Sequence, residues 1–394
     1  MTVKRGRNFL LTPGPTPIPE RVLNAMHRQP VDFAGPAFLE TARSCLEDLR
    51  PIFKTAGPVF LYTSSGHGAW EAALSNALSP GDRILVPETG NFSAAWKDMA
   101  EALGLLAEDL PGDWRHAIDP AQVEARLTED RGQEIKAVLA VHTDTATSVT
   151  SDIPALRAAM DRAGHPALLM VDTVASLVTT DFCMDEWQVD VAVGASQKGL
   201  MLPPGLGFTA ASEKALAAGQ TATMPRRYWD WRERTSEHHY KWFCGTAPEH
   251  LVFGLREAID MVLEEGLEAA FARHARLAEA VRRAVAVWCE AGALAFNALV
   301  PEQRAQSVTT ILTPEGFDGD KVRTTCRERF DVALGGGLGR LQGRAFRIGH
   351  MGDINEPMIL GALASVEAAL EICGLPHGKG GVTAAIAHLA GQDA

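Results

Sequence analysis

Long apolar runs are missing from this chain. The longest, such as Ala167 to Val171 and Val189 to Ala195, are broken by acids or glycines well before the roughly 18 residues that a membrane span requires, so no bilayer crossing is expected. Blocks of basic residues are missing too: 37 Lys+Arg face 49 Asp+Glu, a formal net charge of −12, whereas phosphate backbones select basic faces. A nucleic-acid partner is therefore not expected. At the amino end Lys4, Arg5 and Arg7 are followed only by Phe9-Leu10-Leu11 before Pro13, too short an apolar core for a secretory signal, which points to the cytoplasm. The six cysteines (Cys45, Cys183, Cys244, Cys289, Cys326, Cys373) show no Cys-x-x-Cys spacing. That argues against a zinc ribbon or redox pair, and leaves buried free thiols and no metal as the expectation. No Gly-x-Gly-x-x-Gly follows an early strand, and Gly335-Gly336-Gly337-Leu338-Gly339 comes late with the wrong spacing, so a nicotinamide dehydrogenase is disfavoured.

What the chain does have is core-forming material: 46% hydrophobic residues in 394, enough to bury roughly three quarters of the unfolded surface without a staple. Short β-rich runs (Val59 to Thr63, Arg83 to Val86, Ala137 to His142, Ala167 to Asp172, Val191 to Ala195, Gly207 to Ala211) alternate with helical patterns (His67 to Leu78, Ser93 to Leu103, Pro120 to Leu127, Ile153 to Ala163). Such alternation predicts an α/β fold with a mostly parallel sheet covered on both faces. Two long helices, Pro248 to Glu265 and Leu267 to Glu290, then lead to a smaller α+β unit. It has strands at Val308 to Leu312 and Phe346 to Gly349, helices at Asp318 to Phe330 and Glu356 to Ile372, a glycine-rich turn at Gly335 to Gly339, and a loosely held tail of about fifteen residues.

In open α/β sheets ligands bind beyond the carboxyl ends of the strands, and three ends stand out. Ser65-Gly66-His67-Gly68 runs from a strand into a helix, the kind of small-residue turn whose N–H groups can cradle a phosphate, or simply cap the helix. Asp172 closes an almost continuously apolar strand, where a carboxylate is costly unless something pairs with it; capping the next turn is the plainer role. Lys198, one of only nine lysines, stands just past Val191 to Ser196 among small residues, a place suited to an amine of lowered pKa, although most lysines are surface charges. An anion cradle, a lone acid and a lysine match the phosphate, pyridinium and aldehyde needs of pyridoxal phosphate.

With these residues in view the chain resembles the class V aminotransferases of the fold-type I pyridoxal phosphate enzymes, in particular the serine/alanine glyoxylate aminotransferase group. The markers are Thr12-Pro13-Gly14-Pro15-Thr16, Ser65-Gly66-His67 with Glu71-Ala72-Ala73, Val171-Asp172-Thr173-Val174-Ala175-Ser176, Ser196-Gln197-Lys198-Gly199 and Arg347-Ile348-Gly349-His350, spread over nearly the whole chain. The resemblance implies a large cofactor domain (residues 21–265) with a seven-stranded, mostly parallel sheet, an N-terminal arm (1–20) and a small C-terminal domain (266–394). It also implies transfer of an amino group from an amino acid to a small 2-oxo acid, glyoxylate or pyruvate, in ping-pong fashion through a Lys198 aldimine. Asp172 would keep the ring nitrogen protonated, and Lys198 would also serve as general base. Ser65, Gly66, His67 and Gln197 would contact the phosphate, Phe92 would stack on the ring, Thr145 would reach the ring hydroxyl and Arg347 would receive the substrate carboxylate. Thr246 would complete the phosphate site of a partner subunit, which implies a homodimer with shared sites.

Departures bear on the substrate. Where glyoxylate-using relatives often read Asp-His-Arg-Ser, this chain has Asp32-Phe33-Ala34-Gly35; where they often carry an aromatic-Pro-Tyr-Thr-Pro segment, it has Phe243-Cys244-Gly245-Thr246-Ala247-Pro248. With Phe33 and Gly245 at the substrate pocket, a donor larger or less polar than serine is expected. Other readings keep the fold and change the chemistry: a lyase or a desulfurase, the latter needing a mobile nucleophilic cysteine that Cys326 does not supply, or a non-catalytic pyridoxal phosphate-binding protein.

Overall fold

In the computed structural model, which describes residues 6–392, Lys4 and Arg5 lie outside the described residues. Within the strand Val59–Ser64, Val59 and Leu61 join one hydrophobic cluster while Phe60 and Tyr62 join another. The strand Leu168–Asp172 divides in the same way, Leu169 and Val171 to one side, Leu168 and Met170 to the other. A two-residue period with apolar partners on both faces is what a doubly covered sheet requires. The sheet has seven strands in the order Val59–Ser64, Gly205–Ala211, Val191–Ala195, Leu168–Asp172, Ile135–Val141, Arg83–Pro87 and Leu106–Leu110. All neighbours are parallel except Gly205–Ala211, which runs antiparallel to both of its own. Six of these strands match the sequence expectation. The seventh, Leu106–Leu110, is an edge strand with Glu108 and Asp109 in it and no buried residue, so it carries no apolar run to read.

Asp119 and Asp152 start their helices by accepting from the N–H groups of Ala121 and Ala155 at 2.9 and 2.8 Å, each with a proline in the first turn, a strong stop for the preceding loop. Further helices, Pro36–Phe53 and Glu213–Thr221 among them, cover the sheet beyond those the periodicity picks out. The long helices Glu249–Glu265 and Leu267–Cys289 meet at Gly266, whose φ of +81° suits glycine.

A five-stranded sheet forms the second unit, in the order Phe9–Leu11, Val332–Gly336, Ala345–Gly349, Val308–Leu312, Ala295–Phe296. Two expectations change here. Gly335 and Gly336 belong to a strand rather than a turn; a Cβ on Gly335 would stand 2.7 Å from Cδ of Pro13 and 3.2 Å from Cβ of Arg347, so glycine keeps the strand flat against both. The supposed loose tail contains a helix, Gly381–Leu389. It is pinned by Glu367, whose carboxylate accepts from the N–H groups of Gly380 and Val382, both at 3.1 Å, and from the Trp288 indole at 3.0 Å. The helix is held both by this acid on another element and by packing of Val382, Ala385 and Leu389 against the core of the second unit. The amino-terminal segment is also tied in, pairing Phe9–Leu11 in parallel with Val332–Leu334. Among the described residues no helix is long and apolar enough to cross a membrane, and all six cysteines are free, Cys45, Cys183 and Cys326 buried and the others half-buried.

Candidate active site

Parallel strands deliver their carboxyl ends to one rim, and there the strands Leu168–Asp172 and Val191–Ala195 lie side by side with Asp172 opposite Val193. Asp172 is buried and its Oδ1 accepts from the Val174 N–H at 2.7 Å. Lys198, three residues past the next strand, is 8% exposed. Between them opens a cleft of about 230 Å³ that brings together Ser65, Gly66, His67, Phe92, Thr145, Asp172, Gln197 and Lys198. The eight residues come from five separate parts of the sequence.

One wall is the start of the helix Gly66–Ala77, where Ser65 occupies the cap position but its side chain accepts no hydrogen bond from the first turn. Its first N–H groups therefore retain the anion-attracting character of a free helix end. Gly66 is close packed, since a Cβ there would approach Val174 Cγ2 at 3.1 Å. The roof is the segment Thr12–Thr16: the Lys198 ammonium donates to the Pro13 carbonyl, Thr16 N–H donates to the Gln197 carbonyl at 3.2 Å, and Thr16 Oγ1 donates to the Lys198 carbonyl at 3.2 Å. Gly14, at φ +88°, rests on the lysine stem; a Cβ would lie 2.5 Å from both Cδ and Cε. Gly14→Ala is expected to displace Lys198 and lower turnover about tenfold to a hundredfold, with a loss of stability of about 1–2 kcal/mol from alanine at positive φ but the fold retained. Turnover kinetics and circular dichroism of the variant check this, and wild-type turnover would refute it.

Electrostatics in the cleft are set by burial. Asp172 is pushed up to about 7, first by burial and then by Asp144, against the pull of the Val174 N–H, Trp70 and Lys198. Lys198 is pushed down to about 8 by burial and then by Arg347, against Asp172 and Asp144. Arg347 is itself lowered to about 10 by burial. It does not line the cleft but stands behind it, its Nε donating to the Gly336 carbonyl at 2.6 Å and its Nη1 to the Thr145 carbonyl at 2.9 Å. No hydrogen bond engages its Nη2 among the described residues. An amine poised near neutrality beside a carboxyl equally so is an arrangement for moving protons, because either group can change state at small cost.

The single chain does not bring every expected residue here. Phe33 packs against His239 and Tyr240, ring centroids 6.2 and 6.5 Å away. Gly245 faces open space with only Tyr240 Oη at 4.0 Å, and Thr246 is exposed. Among the residues of the site that escaped the sequence reading, two stand out. Trp70 lines the cleft, stacks on Trp96 at 5.7 Å and touches His67 at 4.4 Å between centroids. Its indole N–H is buried without an acceptor at hydrogen-bonding geometry among the described residues, yet it helps hold the Asp172 carboxyl down. Its position one helical turn after Gly66 was the available signal. Asp144, next to Thr145, is wholly buried and gave no signal beyond being an acid amid threonines.

The family profile described as "Aminotransferase class-V" matches residues 8–340. The chain belongs to the class-V aminotransferases. Among relatives, a serine–glyoxylate aminotransferase of Methylorubrum extorquens is 45% identical over 98% of this chain and 97% of its own length. An L-aspartate–glyoxylate aminotransferase of Paracoccus denitrificans is 42% identical over 97% of this chain and 96% of its own. A crystal structure of a ureidoglycine-glyoxylate aminotransferase from Bacillus subtilis superimposes with a TM-score of 0.89, 27% identity, covering 99% of this chain and 100% of that one. This class-V aminotransferase therefore shares its fold over nearly its whole length with a glyoxylate aminotransferase of known structure, which leaves the dehydrogenase reading without support.

Proposed function

We propose that this aminotransferase uses pyridoxal phosphate to move an amino group from an amino acid to a small 2-oxo acid, glyoxylate or pyruvate. The observation that carries it is the joint burial of Lys198 and Asp172 in one cleft beside an uncapped helix start. The cleft also fits the cofactor in detail: the Trp70 Nε1 donor and the Gln197 Oε1 acceptor are buried there without partners among the described residues, and no side chain caps the helix start at Gly66, which leaves its N–H groups for a phosphate. When bound, pyridoxal phosphate supplies an aldehyde for the amino group and a ring that withdraws electrons from the α-carbon.

The chain's own residues divide the remaining work. Ser65, Gly66, His67 and Gln197 hold the phosphate, and Asp172 as a carboxylate binds the ring N–H. Phe92 covers the ring and excludes water, while Thr145 holds the ring hydroxyl. Lys198, as a neutral amine, takes the proton from the substrate α-carbon and returns it on the product side. Arg347 binds the α-carboxylate through its Nη2 edge, the side of its fork left over once Nε and Nη1 donate to the Gly336 and Thr145 carbonyls, and because donor and acceptor share that one site, both are α-carboxylates.

Phe33, Gly245 and Thr246 act in this reading from a second copy of the chain, in a homodimer whose subunits complete each other's sites, with the division into an arm (1–20), a large domain (21–265) and a small domain (266–394) underlying it. The relatives named for serine and for aspartate frame the choice of donor. Phe33, and Gly245 with its open surroundings, favour a side chain larger or less polar than that of serine. A hydroxyl left unpaired in an apolar pocket costs roughly 1–3 kcal/mol, a demotion of serine by about tenfold to a hundredfold. The test follows loss of the cofactor absorbance with each amino acid, then competition with glyoxylate present. Serine giving the highest kcat/KM overturns the donor preference, and a purified chain that cannot be loaded with the cofactor overturns the whole reading.

A further inference from the structure

Beside the cleft, without lining it, stands a further ionisable group that the reading above leaves without work. Asp144 is 0% exposed. Its Oδ2 accepts from the Phe92 N–H at 2.8 Å and its Oδ1 from the Ala146 N–H at 2.9 Å. The first bond satisfies an N–H at the start of the helix Asn91–Ala102, which begins after Gly90. A Cβ on Gly90 would overlap the Asp144 carboxyl, so the acid lies directly on the backbone of that helix end. The second bond closes the turn on itself, and the Asp144 carbonyl tightens it further by accepting from Thr147 and Ser148 N–H at 3.2 and 2.9 Å.

The other side of the same turn grips the five-stranded unit. Arg347 Nη1 donates to the Thr145 carbonyl at 2.9 Å, and Thr310 Oγ1 donates to the Ala146 carbonyl at 3.1 Å. Thr310 and Arg347 are themselves cross-strand partners. One short turn thus holds the backbone of Phe92 on one flank and the side chain of Arg347 on the other.

We propose that Asp144 is a positioning residue that locks the Phe92 ring and the Arg347 guanidinium into one register across the cleft. This rests on the functional reading of Phe92 as the ring cover and Arg347 as the carboxylate site. A carboxylate suits the task because both of its bonded partners are N–H donors and it has acceptors only, whereas the amide of asparagine would turn an NH₂ against one of them. The positive helix end and Arg347 favour its charged form, offsetting a burial that pushes its pKa up.

Asp144→Asn in the full chain is the test. Cofactor affinity, read by quenching of intrinsic fluorescence as pyridoxal phosphate is titrated into the cofactor-free protein, is expected to weaken about tenfold, the scale of a lost helix cap. KM for both substrates is expected to rise more than kcat falls. In a Phe92→Leu background the same exchange is expected to add nothing further to the loss of cofactor affinity, since the ring it positions is gone, while the rise in KM that comes through Arg347 remains. Cofactor affinity unchanged by Asp144→Asn, or affinity losses that simply add in the double variant, would overturn the proposal. Should Asp144→Asn fail to fold by circular dichroism, Gly90→Ala, whose methyl pushes the carboxyl off the helix end, is expected to reproduce the cofactor loss, and wild-type affinity there overturns it equally. Failure of the wild-type chain to bind the cofactor strikes the functional reading instead, so the two failures are separable.

Discussion

Lys198→Ala is expected to abolish turnover while leaving a folded protein that still takes up cofactor. Loss of a general base alone lowers a rate by about 10²- to 10⁴-fold, and this lysine has no substitute nearby. Among the residues lining the cleft the other basic side chain is His67, whose pKa burial lowers, and it belongs to the phosphate wall. Burial and Arg347 bring Lys198 down to about 8, so a useful fraction of neutral amine exists at neutral pH, which a surface lysine near 10.4 does not offer. Retention of cofactor follows from the non-covalent contacts proposed for Ser65, Gly66, His67 and Asp172. Borohydride reduction is expected to fix the cofactor to the wild-type chain and not to the variant. Steady-state turnover within about tenfold of wild type would remove Lys198 from the mechanism.

The large sheet was legible because its strands are buried on both faces and so read as apolar runs. Val191–Ala195, wholly buried, has the same limits in the sequence reading and in the structure. Where a strand sits at an edge the signal disappears, as in Leu106–Leu110 with its two acids, or where glycines serve close packing, as in Val332–Gly336. The helix Gly381–Leu389 was lost for another reason: part of what holds it, Glu367, is on a different element. Local pattern reports burial, and it is silent about bonds made over long sequence distances.

The site divides along the same line. Asp172 and Lys198 announce themselves because an ionisable side chain at the tip of a buried strand is costly, and that cost is visible in one dimension. Trp70 and Asp144 do not, because a tryptophan in an apolar helix face and an acid in a threonine-rich turn each have an ordinary explanation until the fold sets them beside Asp172 and Phe92. Phe33, Gly245 and Thr246 are a third case. Their proposed work needs a second copy, and in one chain they lie away from the cleft, Phe33 against His239 and Tyr240.

Asp172→Asn is expected to separate function from stability most clearly. In the cofactor-loaded enzyme the lost charge matters when electrons move from the substrate α-carbon toward the ring, so the proton-transfer rate should fall about 10²- to 10³-fold, the scale of removing one electrostatic partner of a transition state, while KM changes little. In the cofactor-free protein the same exchange is expected to stabilise. There the Asp172 carboxyl is pushed up to about 7 from 3.8, chiefly by burial, so between those two values the folded protein holds a proton that the unfolded chain has released. Folding then opposes ionisation: the penalty is absent below about pH 4, grows through the window and is complete above about pH 7, reaching at most about 4 kcal/mol. Asparagine carries no such penalty, so its cofactor-free form should unfold at a higher temperature than wild type at pH 8, and the gap should close by pH 4. Loading with cofactor should shrink or reverse the gap at pH 8, because the ring N–H gives the wild-type carboxylate the partner that burial denied it. Thermal unfolding with and without pyridoxal phosphate at the two pH values measures the stability arm. A normal proton-transfer step in single-turnover kinetics of Asp172→Asn would show that the carboxylate is structural and that the ring nitrogen finds its partner elsewhere.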